Sequence, residues 1–352
     1  MAASSIVIFH LGLANLHSSL IDAGHPYAGR FMGGAGSSGV ELFFTLSAVV
    51  LLRPYLRSSR PMDVAKYFWR RCTRLWPPFV GAWILAGAVV ELISRYPTWW
   101  PSEMPAFSFS DWGAQLFIFY IGHHAYNFAW WTLTIEIIFY ALAPLLVAVL
   151  AKRSATTMTI AFMSSIPIAL IAGRYTSANG IYDILLKFVS FGSCFFGGLL
   201  LAKQDISAKA RICLVAAGIA VVAASIVGTH MDDCRAGYGL LYMALVSHVS
   251  MPDTPAGQML SRPLLVWLGE RSYSLFLTHF SVIALACWTT SFFVGSKDLP
   301  YFVVSRALAL MGSLIVSCVL FETVERRFAH GLVTGGMWLP GTRLGTVTTA
   351  RT

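Results

Sequence analysis

Runs of about 20 predominantly apolar residues, each long enough to cross a bilayer core as a helix, recur along this chain from its first residues to Phe321. They are continuously apolar rather than alternating. The spanning element is therefore expected to be the α-helix, which satisfies its own backbone, and not the strand of a closed barrel. Composition agrees: of 352 residues 57% are hydrophobic and 12% charged, with a mean hydropathy of +0.67. That leaves too little polar surface to cover a water-soluble globule of this length.

Ten spans are expected, at 2–20, 36–55, 75–94, 127–150, 156–173, 183–202, 212–229, 237–251, 272–293 and 301–322. The fold class is thus all-α, a polytopic transmembrane bundle over residues 1–330, with a Gly- and Thr-rich tail, 331–352, expected to be cytoplasmic and loosely ordered. Asp111 to Gly122 suits an interfacial or re-entrant helix better than a span. The first span lacks a basic n-region and a small-residue cleavage site, so it is expected to stay in the mature protein. No internal repeat is visible and no loop could hold an independent domain, which places all chemistry in the bundle.

The formal charge is +9, and eighteen of the 25 Lys and Arg residues fall on the side that an even number of spans gives to both termini. Positive-inside asymmetry makes that side cytoplasmic. The basic residues form no single stripe, so no nucleic-acid partner is expected; membrane lipids are. Trp99, Trp100, Trp130 and Trp131 then mark the outer interface and Trp69 and Trp76 the inner one. Six scattered cysteines show no CxxC pair and no zinc spacing, and His123 and His124 have no ligand set nearby, so neither a metal nor a disulfide framework is expected.

Ionisable groups at bilayer depth cost roughly 2.5–3.5 kcal/mol each on insertion scales, so each needs a reason. They are His10, Glu41, Glu136, Lys187, His248, His279, Arg306 and Glu322. His10 lies near the midplane of the first span, where a histidine takes or relays a proton, or simply hydrogen-bonds a neighbouring helix. Arg71 and Arg74 share a helix face at i, i+3 on the inner border. Forks so placed clamp phosphates, but they serve topology and anionic headgroups equally well. Glu136 sits one turn beyond Thr132 on the same face, and Glu41 about five residues into its span; both must face the bundle interior, in a functional or a purely structural pair. His17 and His25, at the outer end of the first span, suit a wetted surface.

Six segments, in order, resemble the blocks of the acyltransferase-3 family of membrane O-acyltransferases, which modify bacterial O-antigens, exopolysaccharides and other glycans. Ile6-Val-Ile-Phe-His10 is similar to the family's first-helix histidine motif, and Gly39-Val-Glu-Leu-Phe-Phe-Thr-Leu-Ser47 to its GVDLFFVLSG block. Arg70 to Pro78 resembles RRxxRIxP and Trp131 to Tyr140 resembles WSLSVEEHFY. Leu268 to His279 resembles LGKISYSLYLWH, and Val324-Glu-Arg-Arg-Phe328 the closing VERPF.

The resemblance implies O-acyl transfer at the bacterial cytoplasmic membrane, from an acyl-CoA donor, acetyl-CoA foremost, to a hydroxyl of a carbohydrate or lipid-linked glycan. It needs no bound cofactor. It puts His10 in the catalytic position with Glu136 as orienting or second acid-base group, and Arg70, Arg71 and Arg74 on the donor's phosphates. Glu41, Ser47, Tyr273, His279 and Glu325 would support the site or bind substrate. The sequence departs from the pattern at Ala48, Ile137 and Arg327, where the family has Gly, Glu and Pro. An arginine that the family carries eleven positions before its histidine would fall ahead of Met1. That leaves open an upstream start, a truncation, or a protein that works without the charge. A transporter, or a family member that only binds glycan, is the alternative reading, the former without support from an inverted repeat.

Overall fold

The first helix does not run straight. In this computed structural model, which describes residues 2–58, 61–96, 106–117, 126–176, 181–228, 234–251, 254–294 and 299–331, α1 (Ala2–Ile8) passes through a kinked turn at Phe9–Leu13, where Gly12 leaves helical geometry, before the chain continues as α2 (Ala14–Asp22). The two halves meet at 49°. A break with an identifiable cause, here a glycine, is how a helix kinks sharply; His10 lies two residues before it.

Next come α3 (Pro26–Ser37), α4 (Gly39–Ser58), α5 (Val64–Arg95) and α6 (Phe109–Gln115), the last in the segment expected to hold an interfacial helix. A short turn, Phe128–Trp130, leads into α7 (Trp131–Leu150), followed by α8 (Ala155–Arg174). The pair α9 (Ile181–Ser190) and α10 (Gly192–Lys203) is bent by 46°. Then follow α11 (Ala208–Val227), α12 (Cys234–Val249), the short α13 (Pro255–Leu260) and α14 (Pro263–Glu270), α15 (Ser272–Phe293) and α16 (Leu299–Leu320). A π-helical turn, Phe321–Glu325, leads into α17 (Arg326–Gly331). Side-chain caps start several helices: Asp63, Ser154 and Ser207 accept from Lys66 N, Thr157 N and Ala210 N, as small polar residues do ahead of an apolar run.

Every expected span finds a helix, but not all ten are long enough to cross a membrane within the described residues. Among the described residues seven helices are long and apolar enough to cross a membrane, or nine if each bent pair is one span. The tenth, α12, has 16 residues, about 24 Å at 1.5 Å per residue and short of a hydrocarbon core of about 30 Å. The expected tail lies outside the described residues from position 332 onward, as do His123, His124, Trp99 and Trp100. The protein is a multi-pass membrane protein.

Burial separates centre from periphery. The apolar window of α15 is 61% buried, against 28% for α8 and 17% for α11, so α15 is an axis while α8 and α11 turn side chains such as Met163, Ile168, Ile212 and Ile219 to lipid. Helix α15 packs against α1, α5 and α16, and α4 against α1, α10 and α12. One apolar core gathers Phe44, Leu52, Phe139, Phe191 and Phe195, and another Phe79, Trp130, Leu133, Leu277 and Leu320. Tyr273 packs against both. The departure at Ala48 is absorbed by close approach to α10: a Cβ added at Gly198 would lie 2.6 Å from that of Ala48 and 2.5 Å from the Thr45 carbonyl oxygen. Ile137 packs partly buried on the second core, and Arg327 is exposed.

Candidate active site

Enclosed by α1, the first three turns of α4, the early part of α5, α7 and the start of α15 lies a cavity of about 330 Å³. Arg71 and Arg74 of α5 reach it because a spacing of three puts them on one helix face. The Arg71 guanidinium lies 5.9 Å from the centre of the Tyr140 ring. Neither arginine has a hydrogen bond or ion pair among the described residues, and the Nε of Arg71 is buried without a partner. Buried donors are nearly always satisfied, so the unanswered Arg71 Nε, with the exposed Arg74 guanidinium beside it on the same cavity, suits an anion from outside the chain. Arg70, one step round the helix, is exposed and does not line the cavity.

Across the cavity, α7 presents Thr132, Glu136 and Tyr140 on one face. Glu136 is 3% exposed. The Tyr140 hydroxyl donates to its Oε1, while Oε2 is buried with no partner among the described residues. The cations acting on this carboxyl are Arg74 and Arg71. Ser47 of α4 and Tyr273 of α15 complete the polar lining, and Tyr273 is held by donating to the Leu75 carbonyl at 3.0 Å.

Glu325 does not line the cavity. It stands behind Tyr273, where its Oε2 accepts from Ser274 N at 3.2 Å and Ser274 Oγ at 2.6 Å and so anchors the first turn of α15. Glu41, 4% exposed, is also outside the lining; its electrostatic neighbours are Cys194, Tyr238 and Tyr242 on α10 and α12.

His10 and His279 form a pair of their own, with ring centroids 5.4 Å apart and planes at 37°. Phe280 packs edge-on to His10 at 5.9 Å. His279 is fully buried, and its Nδ1 lies 2.8 Å from the Phe276 carbonyl oxygen. A carbonyl only accepts, so Nδ1 carries a proton; in the neutral ring Nε2 then carries the lone pair, and it has no partner among the described residues. The pair is not part of the cavity lining, but its neighbours are: Ile6, one turn before His10 on α1, and Phe276, three residues before His279. Phe276 stands over Phe43, the two rings parallel to within 7° with centroids 6.4 Å apart, between the histidines and the arginine-lined space.

The structure thus gathers Arg71, Arg74, Glu136, Ser47 and Tyr273 in one cavity and puts His10 with His279 one turn beyond it. Tyr140 was not expected in the site, and Thr132 was noted only as sharing the helix face of Glu136. For Tyr140 the signal was present: a tyrosine four residues after an intramembrane glutamate shares its helix face. Among the described residues no three His, Cys, Asp or Glu side chains come together as a metal site.

Residues 1–322 match the acyltransferase domain of the acyltransferase-3 family. The chain belongs to that family. Its helix bundle is accordingly the membrane-embedded domain of that family. Three Staphylococcus aureus proteins, from strains COL, MSSA476 and MW2 and each provisionally named an O-acetyltransferase, are 29% identical to it over 101 residues. The match covers 29% of this chain and 16% of each relative, a small part of those proteins' length. No solved structure matches the chain.

Proposed function

We propose that the protein is an acyltransferase that moves an acyl group, acetyl first among them, from acyl-CoA to a hydroxyl of a cell-surface or secreted carbohydrate, free or lipid-linked. The observation that carries the reading is the pairing, in one cavity, of two guanidinium groups that have no hydrogen bond or ion pair among the described residues with a carboxyl held by a tyrosine. Arg71 and Arg74 hold the donor's phosphates bidentately at the mouth, and the thioester end runs past Glu136 toward Phe276. The basic residues clustered from Arg53 to Arg74 make the end of the bundle where α4 joins α5 the cytoplasmic one in this reading. The arginine end of the cavity then faces the compartment that supplies an anionic, impermeant donor.

His10 is the base. Its ring nitrogen takes the proton of the acceptor hydroxyl as that oxygen attacks the thioester carbonyl carbon. The new C–O bond forms, the C–S bond breaks, and the leaving sulfur recovers the proton. His279, with its Nε2 lone pair beside His10, accepts or returns that proton as a relay. Glu136 is the second acid-base group, facing the donor rather than the histidine ring. For the test, membranes containing the chain are incubated with coenzyme A carrying a labelled acetyl group, and alkali-labile label is measured in the carbohydrate fraction. Label that requires Arg71 and Arg74 supports the assignment. Acetylation that survives Arg71→Gln with Arg74→Gln unchanged overturns it.

A further inference from the structure

Beside the reaction cavity runs a second groove of about 480 Å³, between the last turns of α4 and the end of α12. Leu46 and Val50 line both spaces, so the two adjoin along α4. The groove is otherwise apolar apart from Arg53, Arg57 and the Ser250 hydroxyl, and no carboxylate lines it. Arg53 and Arg57 are four residues apart and therefore stack on one helix face.

The two arginines differ. Arg57 donates to Asp205 at 2.5 Å, its side chain 32% exposed and that of Asp205 82%. Arg53 is half-buried and has no hydrogen bond or ion pair among the described residues. A half-buried guanidinium beside apolar walls, with a hydroxyl nearby and a second guanidinium held only by an exposed partner, matches the needs of a phosphate: several donors converging at low dielectric. The α4–α5 connection places these residues on the same end of the bundle as Arg71 and Arg74.

We propose that this groove is a second phosphate site and that it takes the 3′-phosphate of the acyl-CoA donor; this rests on the donor reading above. Coenzyme A carries phosphate at two places, a diphosphate within the chain and a monoester on the ribose. Two adjoining arginine sites on one face of the bundle correspond to that pattern: Arg71 and Arg74 for the diphosphate, Arg53 for the monoester, with Arg57 exchanging an exposed, weakly held carboxylate for it. The site would set donor specificity while remaining outside the reacting atoms.

An anionic phospholipid headgroup offers the same chemistry, and the experiment separates the sources. Binding of coenzyme A and of 3′-dephospho-coenzyme A to the purified full chain is measured by titration calorimetry, in nanodiscs of phosphatidylcholine with and without phosphatidic acid. The wild type is expected to bind coenzyme A about tenfold tighter than the dephospho form, one charge-assisted phosphate contact. Arg53→Gln should bring coenzyme A down to the dephospho level and leave the dephospho form unchanged. Asp205→Asn, at an exposed position, should release Arg57 and tighten coenzyme A alone, about threefold. Equal weakening of both ligands by Arg53→Gln, or no discrimination by the wild type, overturns the assignment. Retention of phosphatidic acid that depends on Arg53, without discrimination between the ligands, overturns it in favour of a lipid. A wild type that binds neither form removes the donor reading itself.

Discussion

Replacing Tyr140 with Phe isolates the one hydrogen bond that defines the carboxyl of the cavity. The ring keeps its place, since Tyr140 is 7% exposed within the first apolar core, and the backbone carbonyl that Tyr67 addresses is untouched. What goes is the hydroxyl that donates to Glu136 Oε1. Oε2 has no partner among the described residues, so the variant leaves a buried carboxyl poorly satisfied. A hydrogen bond to a charged group contributes roughly 1.5–3 kcal/mol, which corresponds to a loss of about 10- to 150-fold if it is made in the transition state. The assay is steady-state acyl transfer in proteoliposomes at saturating donor, with thermal unfolding followed in parallel. The expected result is a kcat lowered within that range and a donor KM within about twofold of the wild type. A kcat within twofold of the wild type, with unfolding unchanged, would refute the role given to the Glu136–Tyr140 pair.

Arg71→Gln and Arg74→Gln should each raise the donor KM about tenfold, as loss of a charge-assisted phosphate contact does, with kcat less affected; initial-rate kinetics over donor concentration decides. His279→Gln keeps a polar side chain but no titrating nitrogen, and should lower kcat about 100-fold with little change in donor KM. Gly198→Ala should destabilise by about 1–3 kcal/mol through overpacking, because the added methyl meets the Thr45 carbonyl at 2.5 Å; a lower melting temperature in detergent reads it.

Much of the fold was legible because lipid imposes length and apolarity on every span, and each of the ten expected segments holds a helix. The breaks were not. Residues 183–202 read as one continuous apolar run, and nothing in their hydropathy marks the 46° bend at Phe191. The kink beside His10 does not show in the hydropathy either, although Gly12, where it falls, was a visible signal. In the site, i, i+3 and i, i+4 spacing brought out Arg71 with Arg74 and could have brought out Tyr140 with Glu136. The pairing of His10 with His279 joins helices from opposite ends of the chain, and no local pattern encodes it; their depth in the membrane marked each residue singly, and neither that nor the family resemblance brought them together. The same resemblance placed Glu41, Arg70 and Glu325 beside the chemistry. The structure puts Arg70 on the surface and Glu325 under the start of α15, because a motif records which residues recur and not which way they point.

The most direct measurement is transfer of labelled acetyl from coenzyme A to carbohydrate by membranes containing the wild-type chain and by membranes containing His10→Ala, at matched protein levels and matched insertion. A base acting on the acceptor hydroxyl contributes about 10²- to 10⁴-fold. The account predicts label in the wild type and a loss of at least about 100-fold in the variant, with its membrane insertion unchanged. Equal labelling by the two would contradict the central role given to His10 and its pairing with His279.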